Sequence, residues 1–166
     1  MFTRRDFLKA TTIGGASSLI SANPLIAATS PKKDKLGIAL VGLGYYSTDL
    51  LAPALQLTKN CELMGIVTGT ASKAETWQKK FNLKDKNIYN YQNFDQIANN
   101  PDIDVVYVAT PWEWHVPMAL KAMEHGKHVF MEVSPAVTVD ECWQLVDMSE
   151  KTQRHCAIIE NCCYGE

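Results

Sequence analysis

From Leu36 onward the chain alternates short aliphatic runs with longer stretches whose apolar residues recur at helical spacing. Ile38-Ala39-Leu40-Val41 predicts a buried strand that runs into Gly42-Leu43-Gly44, and Leu50, Leu51, Ala54 and Leu57 predict the apolar face of the helix that follows. Residues 62–67 read as a second strand, 72–81 as a helix, 88–91 as a short strand, and 94–98 as a short helix stopped by Asn99-Asn100-Pro101. Residues 104–109 carry the strongest strand signal, continuous and rich in valine, as expected of a strand covered on both faces. Residues 116–125 predict a helix closed by Gly126, and 127–132 predict another strand. Thr138, with Glu141 three residues on, forms a capping box for a helix to about Thr152. Residues 156–160 supply the last strand. Strands alternating with helices require right-handed crossovers and a mainly parallel sheet. The expected fold is therefore α/β, a Rossmann-type doubly wound parallel sheet over residues 36–160, with ligands held beyond the carboxyl ends of its strands.

Upstream the pattern is different. Arg4, Arg5 and Lys9 precede a moderately apolar run over 10–26, and small residues follow at Ala27 and Ala28. That order is a secretory signal. Gly14, Gly15 and Pro24 interrupt the run, which argues against a stable membrane anchor. Thr3-Arg4-Arg5-Asp6-Phe7-Leu8-Lys9 resembles the twin-arginine export signal, which implies the twin-arginine export machinery as a partner and a periplasmic or secreted destination. Residues 1–28 are thus expected to be removed, 29–35 to be a polar linker, and 161–166 to begin a C-terminal α/β substrate domain missing from this chain.

Composition adds exclusions. At 46% hydrophobic and 20% charged, with a net charge of −2, the chain is ordinarily globular and lacks the basic excess of a nucleic-acid binder. The cysteines are Cys61, Cys142, Cys156, Cys162 and Cys163, none in a Cys-x-x-Cys pair; buried free thiols are the simplest expectation, and an oxidising compartment would permit a disulfide. No His, Cys or Asp cluster has metal-ligand spacing, so no metal is expected.

The first strand–helix junction carries the chemistry. In Gly42-Leu43-Gly44-Tyr45-Tyr46-Ser47 the first glycine permits a tight turn and the second lets a pyrophosphate approach the backbone. Ser47 replaces the third glycine of the usual fingerprint with another small residue. After the second strand, Val67-Thr68-Gly69-Thr70-Ala71-Ser72-Lys73 lacks the carboxylate that bonds the ribose of NAD. The hydroxyls of Thr70 and Ser72 with the Lys73 cation suit the 2′-phosphate of NADP, the alternative being that Lys73 is a solvated helix residue.

With Gly42-Leu43-Gly44, the strand at 104–109 and Gly126-Lys127-His128-Val129-Phe130-Met131-Glu132, residues 36–164 resemble the Gfo/Idh/MocA oxidoreductases. The resemblance implies a Rossmann domain followed by an α/β domain with a large open sheet, through which members often assemble as homo-oligomers. The first half is more similar to NADP-type members related to glucose-fructose oxidoreductase. The second half, in Ala109-Thr110-Pro111-Trp112-Glu113-Trp114-His115, Asp140-Glu141-Cys142-Trp143 and Glu160-Asn161-Cys162-Cys163-Tyr164, resembles the NAD-dependent α-N-acetylgalactosaminidase-type glycoside hydrolases. Most family dehydrogenases carry Glu-Lys-Pro where this chain has Glu132-Val133-Ser134-Pro135, so the proton-transferring lysine is missing, as in the hydrolase branch.

The resemblance implies NAD or NADP as cofactor. Its expected lining is Gly42, Gly44, Tyr45, Tyr46, Thr68, Ser72 and Lys73 from the first half, with Thr110, Trp112, Glu113, Trp114, His115, Glu132, Val133 and Asn161 from the second. Trp112 and Trp114 could stack on the nicotinamide or a sugar, or pack the following helix. His115 and Tyr164 are the only candidates for catalysis; His115 could equally be a structural histidine at a helix start, and His125 and His128 are expected to be structural. The implied function is that of an exported sugar-acting protein. A redox-assisted glycosidase would oxidise the sugar at C3 by hydride transfer, remove the acidified C2 proton as the aglycone leaves C1, add water and return the hydride. The alternatives are an NADP-dependent sugar oxidoreductase and a fragment that only binds dinucleotide.

Overall fold

A computed structural model describes residues 33–164, with the side chain of Tyr164 outside the described set. The expected signal at 1–28 also lies outside the described residues. The strands are β1 (Leu36–Val41), β2 (Cys61–Val67), β3 (Ile88–Tyr89), β4 (Val105–Val108), β5 (His128–Met131) and β6 (Cys156–Ile158). They form one parallel sheet in the order β3-β2-β1-β4-β5-β6. The helices are α1 (Ala52–Leu57), α2 (Ala71–Phe81), α3 (His115–Glu124) and α4 (Val139–Thr152). The expected doubly wound sheet is thus observed, and the order reverses between β1 and β4, where a crevice opens for a ligand.

Alternation along each strand sends side chains to two cores. Ile38, Leu40, Leu63, Ile66 and Val105 pack with Ala52 of α1 and Trp77 of α2 on one face. Ala39, Val41, Val106, Val108, Val129 and Met131 pack with Ala119 and Met123 of α3 on the other. Each core draws on both halves of the chain. A fully buried side chain such as Leu40 or Phe94 stabilises by about 1.5–3 kcal/mol.

Three local expectations need correction. Between Gly44 and α1 the chain forms a π-helical turn, Ser47–Leu51. The wider turn shifts the helical phase, so Leu50, Ala54 and Leu57 face solvent while Leu51, Ala52 and Leu55 pack inward. The predicted helix at 94–98 is a 3-10 helix, Phe94–Asn99. The cysteines are all free thiols, but only Cys61 and Cys156 are partly buried; Cys142 on α4, and Cys162 and Cys163 on the terminal 3-10 turn Asn161–Tyr164, are exposed. The α4 capping box is present as expected: the Glu141 N–H donates to Thr138 Oγ1 at 3.2 Å, and the Thr138 N–H donates to Glu141 Oε2 at 3.0 Å. In the expected linker, Lys33 pairs with Asp104 at 2.7 Å.

The amino end of the sheet is held by polar plugs. Lys127 is buried and donates to the carbonyls of Asn100 (2.8 Å) and Ile103 (3.0 Å). At the start of β5, His128 Nδ1 accepts the His155 backbone N–H at 3.0 Å. Burial, then the neighbouring His155 and Arg154, lower the His128 pKa. A histidine whose folded pKa is depressed favours the folded state while neutral, and that stability is lost as pH falls through the ordinary imidazole range, about 6.5. Protonation also removes the acceptor for His155. The melting temperature is therefore expected to drop between pH 7.5 and 5.5, and to drop less in His128→Asn, whose amide oxygen can still accept; equal drops would remove His128 as the cause.

Candidate functional site

Gly42 leaves β1 with φ of +87°, a conformation L side chains rarely adopt. A Cβ there would lie 2.6 Å from the Ala109 carbonyl oxygen and 2.9 Å from Thr110 Cγ2, so the turn abuts the end of β4. At Gly44 a Cβ would meet nothing within 4 Å, so the backbone lies open to a ligand. Ser47 is fully buried and its hydroxyl donates to the Gly42 carbonyl at 2.6 Å, which lets it stand where the fingerprint has glycine. Thr48 Oγ1 donates to the Gly44 carbonyl at 2.8 Å. The turn is pinned from its own helix while its outer side remains open. Beside it, the buried Thr110 Oγ1 has no hydrogen-bond partner among the described residues. An open glycine backbone and an orphan hydroxyl at the switch point fit a bound pyrophosphate.

On the β2 side, Thr68 is buried and its Oγ1 accepts the Thr70 N–H at 3.2 Å. Its hydroxyl shapes the loop. Lys73 Nζ donates to the Leu43 carbonyl at 2.9 Å. The residue is exposed, with the end of its side chain against the glycine turn. Leu43, Thr48, Ser72, Lys73, Thr76 and Trp77 line a cavity of about 260 Å³ there, with hydroxyls and one cation but no carboxylate.

The loop after β4 leaves its tryptophans open. Trp112 and Trp114 are 57% and 50% exposed, too open to be packing for α3. Trp112 Nε1 donates to the Val133 carbonyl at 3.1 Å. Trp114 stacks on Tyr91 at 5.9 Å with an interplanar angle of 17°, and Tyr91 lies against Gly69. Trp114 therefore stands beside the loop after β2. Glu113 and Val133 are exposed, as is Tyr45 at 73%. Tyr91 was not legible as a site residue, since nothing in its local pattern sets it apart.

His115 has no exposed surface; Nδ1 lies 2.7 Å from the Ser134 carbonyl oxygen and Nε2 lies 2.8 Å from the Thr110 carbonyl oxygen. A neutral imidazole donates from one of these nitrogens, and in either tautomer the ring sits between the loop after β4 and the loop after β5. His125 and His128 are structural, as expected; His125 Nε2 contacts Asp95 at 3.2 Å.

Glu132, at the end of β5, accepts a hydrogen bond from the Tyr107 hydroxyl. Burial, then Glu132, push the Tyr107 phenol far above its ordinary range. Burial first, then Glu132 and Glu160, also raise Tyr46. The Tyr107 phenol thus stays protonated beside the carboxylate. Tyr107 was missed as a site residue, although a polar-tipped side chain in an otherwise aliphatic strand was a signal. Asn161 opens the terminal 3-10 turn, exposed, one residue beyond Glu160.

Residues 36–159 match the oxidoreductase family described as having an NAD-binding Rossmann fold, Gfo/Idh/MocA. A glycosyl hydrolase family 109 protein of Solibacter usitatus is 35% identical over 177 residues, covering 98% of this chain and 40% of its own length. A namesake from Saccharopolyspora erythraea is 39% identical over 134 residues, covering 78% and 29%. Among solved structures, an aldose-aldose oxidoreductase from Caulobacter crescentus complexed with glycerol is similar at a TM-score of 0.71 and 38% identity, over 72% of this chain and 36% of that one. The chain spans about 40% of the first of these relatives, and that single relative aligns with both of its halves.

Proposed function

This chain belongs to the Gfo/Idh/MocA oxidoreductase family, and from that premise we propose that it is the NAD(P)-binding part of an exported, sugar-acting protein that works as a redox-assisted glycosidase. The nicotinamide, when bound, would accept a hydride from a sugar carbon and return it. The observation that carries the reading is the junction of the two loops whose sequence resembles the hydrolase branch. Trp112 reaches the Val133 carbonyl, and His115 reaches the Ser134 carbonyl. These bonds set the rim of the crevice. Gly42 and Gly44 would hold the pyrophosphate, and Glu132 would accept from the ribose or the carboxamide. Val133 stands where most dehydrogenases of the family carry the proton-transferring lysine. The base is assigned to the domain that the longer relatives possess. The Thr3–Lys9 string supports export after folding.

One observation favours an NADP-dependent sugar oxidoreductase: the carboxylate-free cavity with Lys73 beside the glycine turn. The two readings differ in what happens to the cofactor. The longer parent protein, given an aryl α-N-acetylgalactosaminide and either nucleotide, is expected to release the aglycone with no lasting rise in reduced-nicotinamide absorbance. Accumulation of reduced nucleotide with no aglycone would establish the oxidoreductase instead.

A further inference from the structure

The carboxylate at the end of β5 has a built environment that the dinucleotide reading does not by itself require. Tyr107 of β4 is in register with Phe130 of β5, and Glu132 lies two residues beyond Phe130, so the two side chains share one face of the sheet. Tyr107 and Phe130 pack against the cluster of Leu40, Leu43 and Val105 on the face that carries α1. Across that packed base the Tyr107 hydroxyl donates to Glu132 Oε1.

The placement gives this arrangement a purpose. A dinucleotide whose pyrophosphate lies on Gly42 and Gly44 sends its adenosine toward the end of β2 and its nicotinamide ribose toward the ends of β4 and β5. Glu132 is at that second end. A lone glutamate there has three rotatable bonds and would lose that freedom on meeting a ligand. One held by a phenol rooted in the sheet has lost it already, which lowers the cost of binding. We propose that Tyr107 is a positioning residue that fixes the Glu132 carboxylate as a hydrogen-bond acceptor for the nicotinamide ribose. Because its phenol stays protonated well beyond neutral pH, Tyr107 is a donor under all working conditions.

The proposal rests on the crevice holding a dinucleotide, so the experiment separates the two. Dissociation constants are measured on the whole chain for NAD, NADP and the half-molecules ADP and 2′,5′-ADP, with thermal melts as a folding control. In Tyr107→Phe the preferred dinucleotide is expected to weaken roughly tenfold, the scale of a hydrogen bond to a charged group, while the matching half-molecule keeps its affinity. Glu132→Gln, which leaves the tyrosine in place, is expected to lose about as much, and the double variant little more than either. Equal loss for dinucleotide and half-molecule, or additive losses in the double variant, would overturn the positioning role. If the unaltered chain binds neither class of ligand, the dinucleotide reading falls, and this proposal with it.

Discussion

Replacing Gly42 by alanine is expected to cost the protein several kcal/mol, enough to remove much of the stability of a domain this size. Two independent penalties add. The residue sits at φ of +87°, and an L side chain in the left-handed region costs roughly 1–2 kcal/mol. The new methyl would also lie 2.6 Å from the Ala109 carbonyl oxygen, which is backbone in the tight junction between β1 and β4 and cannot swing aside as a side-chain tip could. Overpacking of that kind typically costs about 1–3 kcal/mol. The sum, roughly 2–5 kcal/mol, competes with a total stability of about 5–15 kcal/mol. A denaturant titration of the whole chain reads it directly: a large fall in midpoint is expected, and a fall of less than about 1 kcal/mol would mean that the turn relaxes and does not hold β1 against β4 as described.

How far such a turn could be read from sequence depends on the reach of the signal. The strands were legible because their aliphatic runs, such as Val105-Val106 and Val108, are buried on both faces, and continuous burial leaves a continuous pattern. The α4 start was legible because Thr138 and Glu141 bond within one turn. What failed depended on contacts between distant segments or on a single-residue offset. The π-turn at Ser47–Leu51 moves the inward face of the first helix by one position, which no apolar count distinguishes from an ordinary helix. The burial of His115 was not legible either, because it depends on the Ser134 carbonyl brought in by the loop after β5. Likewise, Glu132 was recognisable from its place at a strand end, but its partner Tyr107 became visible only once parallel register set β4 beside β5. Lys73 lay between two readings until its bond to the Leu43 carbonyl put it at the glycine turn.

Gly44 should respond in the opposite way to its neighbour. Its backbone does not lie in the left-handed region, and a Cβ built on it meets nothing within 4 Å. Alanine there strains nothing and restricts the unfolded chain, so Gly44→Ala is expected to leave stability unchanged or raise it by about 0.4–1 kcal/mol. The empty space beside it is where the pyrophosphate is read to lie, at the N-terminal end of the first helical segment. A methyl group there holds the phosphate oxygens away from the backbone N–H groups that would bind them. Losing two such charge-assisted bonds, at about 1.5 kcal/mol each, corresponds to roughly a hundredfold weaker dinucleotide binding. The expected signature is thus a variant that melts no lower than the parent chain yet is no longer stabilised by added NAD or NADP, since a ligand raises the midpoint only through binding to the native state. If instead Gly44→Ala binds as well as the parent, the phosphates do not approach this backbone. The open face of the turn would then serve some other ligand, or the pyrophosphate would have to be held by Thr110 and the loop after β4 alone.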